Sequence, residues 1–180
     1  MKIIKTTFKA ILLAVTFSSL LISCGGDDDV PPVTPVTPAA NSSFVKAKVN
    51  GQAFSSYIFG TSAASANISG SGSGTLIQVL GSNLNANNIS ITLYGITETG
   101  TYEINPSLDG SVMAYTPGTG GVAYSTGECA GSGGTIVITT LSSTKIEGTF
   151  SFIGKDSNTC DTSETKTVTE GSFRGVFVNP

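Results

Sequence analysis

The side chains here that could do chemistry are few. Cys24, Cys129 and Cys160 are the thiols, Glu103 and Glu147 are carboxylates within strand-like runs, and Tyr94, Tyr115 and Tyr124 could offer rings to a ligand. His is absent, which removes the commonest general base and the commonest metal ligand together. A Ser nucleophile would then need a Lys or carboxylate base, and none of Lys145, Lys155 and Lys166 is expected to be placed for it by a Ser-x-x-Lys spacing. A glycosidase needs two carboxylates facing one cleft, but Glu103 and Glu147 alternate with apolar neighbours and should point to solvent. The run from Asp156 to Asp161 begins like a calcium loop, yet Cys160 stands at its fifth position and the required Gly is missing. The expectation is therefore no catalytic residue, no metal site and no cofactor. With Lys+Arg 9 against Asp+Glu 12, there is no basic excess to replace counterions on nucleic acid.

The first thiol sits in a processing segment rather than a domain. Lys2, Lys5 and Lys9 make a basic start, and the apolar run Ala10 to Ile22 is broken by Thr16, Ser18 and Ser19. That run falls short of the ~20 residues that a membrane-spanning helix needs. Leu21-Ile22-Ser23-Cys24 resembles the lipobox of bacterial lipoproteins. The resemblance implies that residues 1–23 are a signal peptide and that Cys24 becomes a diacylglyceryl-modified first residue, the partner of a membrane. An ordinary cleaved signal peptide with an incidental Cys is the competing reading. The run Gly25-Gly26-Asp27-Asp28-Asp29 looks like the signal that exports Bacteroidota lipoproteins to the outer face of the outer membrane. A plain acidic spacer would look the same. Val30 to Pro38 (V-P-P-V-T-P-V-T-P) favours extended polyproline II, so residues 24–43 read as a tether reaching up to ~60 Å.

Without Lys2, Lys5 and Lys9, six basic residues face twelve acidic ones, a mature net charge of −6. With Cys24 acylated, Cys129 and Cys160 are an even pair in an oxidising compartment and are expected to form a disulfide.

From Phe44 to Pro180 no stretch carries a helical apolar repeat. Short runs rich in Val, Ile, Thr, Phe and Tyr alternate with Gly, Ser and Asn clusters. Asn50-Gly51 predicts a two-residue hairpin that pairs Val49 with Gln52 and Ala47 with Phe54. Further strands are predicted over 75–80, 89–94, 100–104, 112–115, 122–124, 135–141, 145–153 and 166–178, with Pro117-Gly118 in a hairpin and Glu170-Gly171 as a bulge. Residues 69–74 (S-G-S-G-S-G) read as a flexible loop. The fold class is all-β: one antiparallel β-sandwich or flattened β-barrel of nine to ten strands, with the last strand beside the first.

The segments Phe44–Phe54, Gly100–Ile104, Gly133–Leu141, Gly148–Phe152 and Thr167–Phe173, in that order, resemble a family of small Bacteroidota lipoproteins known only as a domain of unknown function. The resemblance implies an all-β cell-envelope domain and carries over no catalytic or binding residue. The leading expectation is a non-enzymatic, lipid-anchored outer-membrane protein, facing the exterior, that serves adhesion, structural support or accessory binding to a surface protein. The alternative is a glycan-binding lipoprotein using Tyr94, Tyr115 and Tyr124, although Trp, the best stacking platform, is absent. Packing across a sheet is the competing role for those tyrosines.

Overall fold

A computed structural model describes residues 38–107, 110–118, 121–160 and 164–178. Alternation of apolar and polar side chains drives the strands. In Asn88–Tyr94, Ile89, Ile91 and Leu93 are fully buried while their neighbours face outward, each contributing ~2 kcal/mol of burial. The strands are β1 (Phe44–Val49), β2 (Gln52–Ser55), β3 (Tyr57–Ile58), β4 (Thr61–Ser62), β5 (Ala64–Ser69), β6 (Leu76–Ser82), β7 (Asn88–Tyr94), β8 (Gly100–Ile104), β9 (Val112–Thr116), β10 (Tyr124–Ser125), β11 (Gly133–Leu141), β12 (Lys145–Asp156) and β13 (Thr165–Val176). One 3₁₀ turn, Gly72–Gly74, lies within the segment read as a loop.

One large antiparallel sheet runs β2-β1-β13-β12-β10-β9-β7-β6-β5. It forks at β12. One edge of that strand follows β13 from Lys145 to Lys155, and the other pairs β11 over Ile146–Ile153, then β10 at Lys155 and Asp156. β11 carries β8 as a side branch. The sheet curls until β5 meets the end of β13 at a parallel bridge, Ala66 to Phe177. The expected all-β barrel-like class is what the chain adopts, and the first strand does lie beside the last.

The Asn50-Gly51 turn has both residues at positive φ (47° and 80°) and sets the expected register, Val49 to Gln52 and Ala47 to Phe54. The bulge is also present. Both neighbours of β13 lose register there, and Glu170 sits at φ 52°. The extra residue resets the alternation so that Val168, Gly171 and Phe173 all stay buried. Three features depart from the sequence reading. β5 was not foreseen, the short hairpin β3–β4 was not foreseen, and the strand expected over 122–124 is instead Tyr124–Ser125. β5 buries only Ala66 among its side chains, so its periodicity is faint, and its six-residue pairing with β6 supplies what the apolar pattern lacks.

The chain enters β1 along a pinned path. Arg174 donates from Nε to Glu147 Oε1 at 2.6 Å and from Nη1 to the carbonyls of Ala39 (3.2 Å) and Ala40 (3.0 Å). Ser43 Oγ accepts the Val176 N–H at 2.9 Å.

Closure of the curl demands a residue without a side chain on β13. A Cβ on Gly175 would stand 2.6 Å from Ala66 Cβ and 3.0 Å from Ile146 Cγ2. Gly175→Ala should therefore cost about 2 kcal/mol, read as a lower urea midpoint, with amide exchange of β5 accelerated more than that of β11.

Candidate functional site

Three turns gather at the end of the barrel where β1 meets β2. The Asn50 turn is tied to β13 by two bonds, Asn50 N–H to Thr167 O and Thr167 N–H to Asn50 Oδ1, each 2.8 Å. The β6–β7 turn is wound around Asn83, whose Oδ1 accepts the N–H groups of Asn85 and Asn87 at 3.0 Å each. The segment after β9 packs on that turn, with Gly118 N–H donating to Asn87 Oδ1 at 2.9 Å. Only Gly fits there, since a Cβ would lie 2.1 Å from Asn85 O.

Between these turns lies a cleft of about 340 Å³. Val49, Phe54, Tyr115 and Tyr124 supply its apolar surface, and Asn50, Gln52, Asn83, Asn87 and Lys166 its polar rim. Tyr115 and Tyr124 are direct cross-strand partners of β9 and β10, each 8% exposed. They differ in their hydroxyls. Tyr124 donates to Glu164 Oε2 at 3.0 Å, and the Lys166 ammonium covers its ring at 4.8 Å. That hydrogen bond to a carboxylate, then burial, raises its pKa above the ordinary 10. Burial alone raises the pKa of Tyr115, whose hydroxyl has no partner among the described residues.

Tyr94 does not join this pair. It ends β7 at the far end from Asn88, on the outer face, and is 48% exposed. Its N–H donates to Ser111 Oγ at 2.9 Å, and its ring lies against Gly110. The three tyrosines thus form no common platform. Tyr115 and Tyr124 are cross-strand packing residues that also line a cleft.

Cys129 and Cys160 are bonded, with their Cα atoms 5.2 Å apart. The bridge ties the segment just after β10, which bears Tyr124, to the segment just before β13, which bears Lys166. It thereby braces one wall of the cleft. Closing a separation of 31 residues is worth about 4 kcal/mol on the chain-entropy account. Cys24, Asp27, Asp28 and Asp29 lie outside the described residues.

The strand carboxylates stay apart. Glu103 pairs across β8–β11 with Thr135, which donates to it at 2.9 Å, and Thr135 in turn pairs with Ser151, four residues beyond Glu147. By strand geometry the two carboxylates are on the order of 15 Å apart. Glu147 is engaged by Arg174 and by Lys145 Nζ (3.1 Å), and the guanidinium holds its pKa below the ordinary 4.5. Two Ser-x-x-Lys spacings do occur, against the expectation that no Lys is placed for a Ser: Ser163 of the Ser163–Lys166 spacing lies outside the described residues, and the other is Ser142–Lys145. It falls on the β11–β12 turn: Ser142 Oγ accepts the Lys145 backbone N–H at 3.2 Å, while the ammonium turns to Glu147. Asp156, the first residue of the calcium-like run, accepts the Asn158 N–H at 2.7 Å as a turn cap.

Asn83, Asn87, Gln52, Phe54 and Lys166 were not singled out as site residues in the sequence. The signal that could have found two of them is the run Asn83-Leu84-Asn85-Ala86-Asn87-Asn88, too rich in Asn for an ordinary tight turn.

Residues 41–177 match the family described as Domain of unknown function (DUF6252), and the chain belongs to it. No curated protein matches the chain. No solved structure matches it either.

Two pH responses follow. Tyr115 and Tyr124 keep their protons in the folded state above the ordinary pKa, so their share of stability is complete below pH 10 and is lost as pH rises beyond it. In a tyrosinate absorbance titration, Glu164→Gln should bring the Tyr124 step to lower pH and leave that of Tyr115 in place. Glu147 has the opposite sign. Its pKa is depressed, so its contribution is present above pH 4.5 and disappears as pH falls below that value. Glu147→Gln should flatten that acid limb in urea unfolding curves between pH 5 and pH 2.

Proposed function

We propose that this member of the family is a non-enzymatic, lipid-anchored outer-membrane protein that faces the cell exterior and binds a ligand at the cleft end of its barrel. The supporting observation is one of placement. The chain, tied to the domain from Ala39 to Ser43, enters β1 at Phe44, whereas the cleft opens at Asn50, beyond the other end of that strand. Six residues at ~3.3 Å each separate the two by about 20 Å. A domain held through Cys24 and the Pro-rich tether would have its cleft on the far side from the attachment point, free to meet a partner.

The absence of chemistry in this reading rests on particular residues. Glu103 and Glu147 do not converge, Glu147 is neutralised by Arg174 and Lys145, and Lys145 is turned away from Ser142. The turns of the cleft are closed by hydrogen bonds within and between them, so its rim is rigid before any ligand arrives.

Protease shaving of intact cells tests the display. Wild-type domain should be clipped, and the variant with Asp27, Asp28 and Asp29 all replaced by Ala should be protected until the cells are lysed. Protection of both proteins in intact cells would overturn surface display. Cys24→Ser should move the protein from the membrane to the soluble fraction.

A further inference from the structure

The polar rim of the cleft is rich in donors. Asn50 Oδ1, Asn83 Oδ1 and Asn87 Oδ1 each accept backbone N–H groups. Those bonds fix which end of each amide is oxygen, because a backbone N–H cannot donate to an NH₂ group. The amide NH₂ of each therefore remains as the free end, with no acceptor among the described residues. Lys166 adds an ammonium that forms no ion pair among the described residues and lies over the Tyr124 ring. Two carboxylates flank this wall without lining the cleft: Glu164, which accepts from Tyr124, and Asp156, the cross-strand partner of Tyr124.

The second observation is Tyr115. Its ring is buried at 8% exposure, yet its hydroxyl is unpartnered, and no fully enclosed side-chain oxygen in the described protein lacks a partner. The hydroxyl must therefore reach the open volume of the cleft that Tyr115 lines. A hydroxyl that opens into the cleft with no partner in the chain is free to hydrogen-bond whatever enters the site.

Resting on the binding role proposed above, we infer that the cleft takes a carboxylate-bearing saccharide, with Lys166 and the amide donors on the carboxylate and Tyr115 on a ring or hydroxyl oxygen. The donors belong to separate side chains lining a cavity of about 340 Å³, the size of one or two sugar rings, and not to a row of backbone groups. That geometry favours a compact, oxygen-rich ring over an extended peptide, which would be held along a strand edge. The ammonium and the amide NH₂ groups of Asn50, Asn83 and Asn87 favour an acceptor-only group, which a carboxylate is and a sugar hydroxyl is not, while the Gln52 amide adds one acceptor to the rim.

The test is calorimetric binding to the full lipidated chain in detergent. Tetragalacturonate is compared with its methyl ester, 3′-sialyllactose with lactose, and a tetraglutamate peptide stands as the non-sugar acid. One or both acidic sugars should bind at least tenfold tighter than the matched neutral form, which also tells a uronate source from a sialylated one. Lys166→Met should abolish that preference, and Tyr115→Phe should weaken the acidic sugar about five- to tenfold. Tyr115→Phe breaks no bond within the chain, so its fold is retained, and Tyr94→Phe at the other end should bind as wild type. Equal binding of charged and neutral sugars, binding of none, tighter binding of tetraglutamate, or indifference to Lys166→Met and Tyr115→Phe would each overturn the inference. Surface display is read separately by protease, so a wrong ligand class and a wrong location give different results.

Discussion

The 12-residue strand β12 is the constraint on which the rest of the structure depends. Its edge toward β13 carries ten paired positions, and its other edge is shared by β11 and β10. The face turned inward carries Ile146, Phe150 and Phe152, with Phe150 edge-on to Phe173 of β13 at 6.1 Å between ring centres. A strand that long can serve two branches because it runs past the end of β11 before β10 begins. The fork sends β8 and β11 to one side and β9, β7, β6 and β5 to the other, and both branches bury residues in one core.

The bulge at Glu170 then makes closure compatible with that spine. Alternation along β13 would otherwise turn Phe173 outward after Val168 had faced inward. One extra residue keeps both buried and increases the local twist. Gly175 follows on the same face, where β5 arrives against it. The curl, the seam and the Arg174 that clamps the entering chain, itself held by Glu147 of β12, thus all belong to β13.

At the cleft end the organising principle changes from apolar burial to backbone satisfaction. Turns leave N–H groups without ladder partners, and here Asn side chains supply the oxygens. Each carbonyl used in this way leaves an amide donor over, so the same residues that close the turns make the rim donor-rich. The disulfide adds a covalent brace to the wall that holds Tyr124 and Lys166. The surface also carries apolar residues that packing does not explain, notably Phe59, 90% exposed at φ 48° in the β3–β4 turn, and Leu84, 65% exposed in the β6–β7 turn.

What was legible along the chain were features decided by near neighbours. Alternation marked β1, β7, β8 and β12, Asn50-Gly51 set a hairpin with its register, Glu170-Gly171 marked the bulge of the closing strand, and two remaining thiols announced a disulfide. β5 was hidden because it buries so little of its own, and β10 because two residues carry no period. The cleft was hidden for a related reason. Tyr115 and Tyr124 could be seen as a hairpin pair, but that one hydroxyl would be satisfied by Glu164 and the other left bare depends on residues 40 positions apart. Likewise Tyr94 shares a composition with its fellows and not a location. Periodicity and turn chemistry are local properties, written residue by residue. Which sheet edges meet, and which polar atoms are left over when they do, is settled only when distant segments compete for the same partners.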